Sequence, residues 1–66
     1  MNRTEISIKA SNIAGALWDD RQKTGSLAEQ LRAVASEPAH GTDGDLNAED
    51  RAALQSLATT AEEAGL

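Results

Sequence analysis

Sixty-six residues with a net charge of −5 and no cysteine form at most one domain, expected to span 1–66, and a chain this short buries only about 60% of the surface it exposes when unfolded. Its large apolar residues are three isoleucines, seven leucines, Val34, Trp18 and Met1, beside thirteen alanines, so the core is shallow, no disulfide can supplement it, and a partner chain or a homodimer is the expected remedy. The longest apolar or small run, Ile13 to Trp18, falls far short of the roughly 20 residues that cross a bilayer, and Ser11, Asn12 and Asp19-Asp20 interrupt any secretion-signal pattern; the expected location is cytoplasmic, with no membrane partner.

The stretch Ile6 to Asp20 holds every isoleucine and the only tryptophan, and is expected to organise the chain. Read as a helix, Ile6, Ala10, Ile13 and Leu17 recur at i, i+4, i+7 and i+11 as one apolar stripe, widened by Ala14. Residues 3–9, RTEISIK, also alternate strictly as a short half-buried strand would; the helical reading is preferred, with Thr4 as N-cap and Glu5 in the first turn. Ile8 and Trp18 then lie off the main stripe as a second, smaller apolar strip. Gly15 between them is costly inside a helix, which suggests a close contact there or a tolerated glycine. This first helix is expected over about 4–24, ending at Lys23, Thr24 and Gly25.

Ser26 with Glu29 three residues on is a capping-box pattern. It opens a second helix, 26–36, with Leu27, Leu31, Val34 and Ala35 on one face, and Pro38 stops it. Residues 37–46, EPAHGTDGDL, are the loop richest in turn formers. A third helix, about 47–64, is capped by Asn47, carries Glu49 and Asp50 in its positive first turn, and buries Leu54, Leu57, Ala58 and Ala61. Gly65 is its terminator. The expected fold is therefore all-α: three short helices in a small bundle, the third packed on the first two and the whole completed by dimerisation.

Catalytic chemistry finds little support. His40 is the only histidine, and with no cysteine a zinc site could draw only on carboxylates. Asp19 and Asp20 diverge on a helix and make no dyad. No phosphate-binding glycine loop is present, and three short helices do not readily enclose the roughly 300–1,000 Å³ of a ligand cleft. The protein is expected to be no enzyme and to hold no cofactor or metal. Asp43-Gly44-Asp45-Leu46-Asn47-Ala48-Glu49-Asp50 resembles the second half of an EF-hand or dockerin calcium loop, but the first and third ligand positions fall on Ala39 and Gly41. Turn chemistry before an N-capped acidic helix explains the same residues.

Charge is uneven. Residues 1–36 carry five cations against four acids, a net of +1, and residues 37–66 carry Arg51 against seven acids, a net of −6. Such asymmetry points to a partner-facing acidic half. The expected function is that of a small regulatory or inhibitory protein that binds another protein, as antitoxins and phage-encoded inhibitors do. Ile8 and Trp18 are its candidate anchor, since tryptophan is over-represented among interface hot spots. Glu49, Asp50, Glu62 and Glu63 could steer a basic partner.

The alternative rests on a resemblance. The alternating RTEISIK, a helix from Ser11 to Lys23, the Thr24-Gly25 turn and the helix SLAEQLRAVA are similar to the ribbon-helix-helix repressors and the antitoxins that carry them. The resemblance implies a strand paired across a dimer axis, with Arg3, Glu5, Ser7 and Lys9 facing the major groove and Ser26 gripping phosphate. Arg3, Ser7, Lys9 and Ser26 are then the nucleic-acid-binding candidates. Two departures are Glu5 on the DNA-facing side and a turn one residue short.

Overall fold

The computed structural model describes residues 1–15, 17–18, 25–36 and 46–66. Three α-helices pack into one globule: α1 at Arg3–Ala14, α2 at Leu27–Ala35 and α3 at Ala48–Glu63, with no strand among the described residues. The all-α expectation is borne out, and with it the packing of the third helix on the first two. The centre of the fold differs from expectation. The last helix, α3, packs most extensively against α2 and more lightly against α1, while α1 and α2 meet only briefly.

The two later helices have the faces and caps their sequences specify. In α2, Leu27, Leu31, Val34 and Ala35 are all buried, joined by Ala28 and Gln30. The Gln30 amide is satisfied by donating to the Gly25 carbonyl at 3.2 Å. Ser26 Oγ accepts from the Glu29 N–H at 3.2 Å, but the box is not reciprocal: the Glu29 carboxylate lies where a Cβ on Gly25 would stand. The exposed Glu29 side chain could swing aside, so it is the φ of +81° that calls for glycine at position 25. In α3, Leu54, Leu57, Ala58 and Ala61 are buried. Asn47 Oδ1 accepts from the Asp50 N–H at 2.8 Å, and Asp50 Oδ2 accepts from the Asn47 N–H at 3.5 Å, a reciprocal box. The far end closes with the Gly65 N–H on the Glu62 carbonyl and the Leu66 N–H on that of Ala61, a Schellman motif that lays Leu66 against the core. Leu46 precedes this helix and is buried.

The first helix departs from expectation at both ends. Its N-cap is Asn2, whose Oδ1 accepts from the Glu5 N–H at 2.8 Å, so Thr4 lies inside the helix. Its end is Ala14. Gly15 leaves helical geometry at φ +55° and ψ −127°, donates its N–H to the Ser11 carbonyl at 2.7 Å and accepts the Trp18 N–H at 3.0 Å. The chain re-enters helical backbone at Leu17 and Trp18. One continuous helix over 4–24 is thus corrected to a helix, a glycine turn and a restart. Among the described residues nothing lies within 4 Å of a Cβ added at Gly15, so it is the positive φ of the turn that calls for glycine. The expected Lys23-Thr24 end, Asp19-Asp20, Pro38, His40 and Ala39 to Asp45 of the calcium-like loop lie outside the described residues.

Ile6, Leu27, Leu31, Val34 and Leu54 are the largest fully buried side chains, and with Trp18 and the alanines they make one continuous core. The radius of gyration, 10.9 Å, equals that of a fully collapsed chain of this length, about 11 Å.

Candidate protein-binding surface

The helical course of Arg3 to Lys9 decides the fate of the DNA-reading face. At 100° per residue, Arg3, Glu5, Ser7 and Lys9 wind around α1 and cannot line one side of a ribbon. Arg3 and Lys9 are exposed and Ser7 half-buried. The Ser26 hydroxyl, expected on phosphate, caps α2.

The two members of the expected apolar anchor are separated by burial. Trp18 is 3% exposed and belongs to the core, while Ile8 is 56% exposed. They still share a feature: both line an open groove of about 390 Å³, with Arg3, Thr4, Ser7 and Ser11 completing its walls. Trp18 is thus a core residue whose edge also lines this groove.

The four candidate acids divide as well. Asp50 is held by its own N-cap. Glu62 is paired with Arg32 of α2 through two parallel bonds of 2.8 and 3.0 Å. The pair raises the Arg32 pKa and lowers that of Glu62, through the side-chain hydrogen bonds first and charge attraction second. A lowered carboxylate pKa adds stability above the ordinary carboxylate range and loses it as pH falls through the folded value. Both side chains are well exposed, at 45% and 60%, so Glu62→Gln should barely move the melting temperature in physiological salt, as measured by far-UV circular dichroism. The nearby Arg51 donates to the Ala35 carbonyl at 2.6 Å, placing a cation at the negative end of α2.

Glu49 and Glu63 remain exposed, and their positions are connected. Glu49, Ala53, Ser56, Thr60 and Glu63 follow at i, i+4, i+7, i+11 and i+14, one stripe along α3. Ala53, Ser56 and Thr60 of that stripe wall a second open groove of about 430 Å³ between α3 and α1, which Leu57, Ile13 and Met1 make apolar and Lys9 and Asn12 rim. The acids stand at the two ends of its α3 wall, about 21 Å apart along the helix axis. Sequence reasoning named the acids but missed the groove. The signal was present in the spacing, hidden because Ala53, Ser56 and Thr60 look like filler between charges. No known family, no curated protein and no solved structure gave a significant match to the chain.

Proposed function

We propose that this is a small non-enzymatic regulatory or inhibitory protein that acts by binding another protein, seated in the groove between α1 and α3. The observation that carries this reading is the groove itself: an apolar floor of Met1, Ile13 and Leu57 with Glu49 and Glu63 at the ends of one wall. Met1 is 55% exposed, so apolar surface remains for a partner to cover. The fitting partner is an apolar segment flanked by lysine or arginine at about 21 Å spacing, as on a four-turn amphipathic helix. The acids would hasten and orient its arrival more than they hold it. Antitoxins and phage-encoded inhibitors work by this kind of masking contact.

The test is capture from cells of the source organism with tagged chain, quantified by mass spectrometry. Three baits are compared: wild type, Ala53→Arg, which fills the groove from a half-buried position on its α3 wall, and Glu49→Lys/Glu63→Lys, which reverses its ends. A near-stoichiometric protein held by wild type and released by both variants, with circular dichroism unchanged, supports the reading. Equal retention by all three baits, or no near-stoichiometric protein on wild type, overturns it.

A further inference from the structure

We propose that two copies of this chain associate through the outer face of α1, antiparallel about a two-fold axis close to Ile8. Ile8 lies two residues from each of the fully buried Ile6 and Ala10, about 200° around the helix from both, and so faces directly away from the core. It is the exposed large apolar side chain of the helical part of the chain, and Met1, the other, precedes α1. On one side of Ile8 the neighbours are the uncharged Thr4, Ser7 and Ser11, with the open groove over Trp18 and the exposed Arg3 at its wall beyond them. On the other side stand the exposed Glu5 and Lys9. These two are four residues apart, yet among the described residues they make no ion pair with each other or with any other group.

That pattern selects its own partner. When two helices pair antiparallel about a two-fold axis, each flank meets the same flank of the other copy, run in reverse. Glu5 then faces the second copy's Lys9 and Lys9 faces the second copy's Glu5, while Ile8 meets Ile8 at the axis. A parallel pairing would set the Glu5–Lys9 flank against the uncharged Thr4, Ser7 and Ser11 of the second copy, and neither charge would gain a partner. The small side chains of the other flank let the helices approach closely. Twelve residues of α1 give a seam only about 18 Å long. This is less than a standard interface of about 800 Å² per partner, so association is weak and concentration-dependent. The Glu49–Glu63 wall of the α3 groove stays uncovered, while Lys9 stands both in this seam and on the rim of that groove.

The experiment is sedimentation equilibrium from about 10 µM to about 1 mM, the range suited to a sub-standard interface. The wild-type mass should rise from 6.9 kDa toward twice that value. Glu5→Lys makes the flank all positive and Lys9→Glu makes it all negative, so each alone should dimerise about tenfold more weakly or worse. Mixed one to one, the two variants restore both attractive pairs, and the mixture should associate as wild type does. Ile8→Gln, an exposed change that keeps the helix, should weaken dimerisation independently of charge. Wild type remaining at 6.9 kDa throughout, or single variants that associate as well as wild type, or a mixture no better than its components, would each overturn the proposal.

Discussion

Trp18→Ala should cost about 3–5 kcal/mol of folding stability, the usual loss when a large buried aromatic is truncated and its cavity only partly collapses. The residue is 3% exposed within a core otherwise made of Ile, Leu, Val and Ala. Sixty-six residues at about 0.05–0.15 kcal/mol each supply roughly 3–10 kcal/mol in all, so the variant loses roughly 30% of its stability at the least and can fall to none. Urea unfolding followed by far-UV circular dichroism measures the loss, and Trp18→Phe, which refills most of the volume, should recover much of it. The wild-type indole should emit to the blue of free tryptophan and resist acrylamide quenching. If Trp18→Ala instead unfolds at the wild-type midpoint, the ring is not core. The consequence for any binding study is direct: loss of a partner in Trp18→Ala reports unfolding, and Ile8→Gln or Ala53→Arg are the surface variants that report contact.

How far the sequence discloses this fold differs from helix to helix. In α2 and α3 the apolar spacing, the caps at Ser26 and Asn47 and the Gly65 terminator all agree, and the structure follows them almost residue for residue. Agreement between independent local signals is what makes a helix legible. In the first segment the apolar periodicity outweighed the contrary signals and gave the wrong length. The stripe Ile6, Ala10, Ile13, Leu17 stays in phase across Gly15, and the neighbouring alanines favour helix, so periodicity runs through a turn that only the glycine's positive φ reveals. The strand reading of residues 3–9 failed on its buried side: alternation needs Thr4, Ile6 and Ile8 together there, and only Ile6 is buried. Among the acids, the use of Asp50 was readable from its place three residues after Asn47. The use of Glu62 was not, because its partner Arg32 lies thirty residues back and no local spacing connects them.

Gly15→Ala separates the two accounts of the first segment by sign. Inside a continuous helix, alanine in place of glycine would stabilise by about 0.5–1 kcal/mol. At φ +55° and ψ −127° the same change forces an L-residue into a region its Cβ forbids, a strain of about 1–3 kcal/mol. Among the described residues nothing lies within 4 Å of an added Cβ, so the expected loss is backbone strain and not a clash. The midpoint of urea unfolding should therefore fall. Chain synthesis permits the mirror experiment: D-alanine in place of Gly15 prefers positive φ and narrows the unfolded ensemble, so it should stabilise where L-alanine destabilises. A rise in stability with L-alanine and a fall with D-alanine would mean that α1 continues through Gly15, and the turn that brings Trp18 beneath Ile8 would be lost with it.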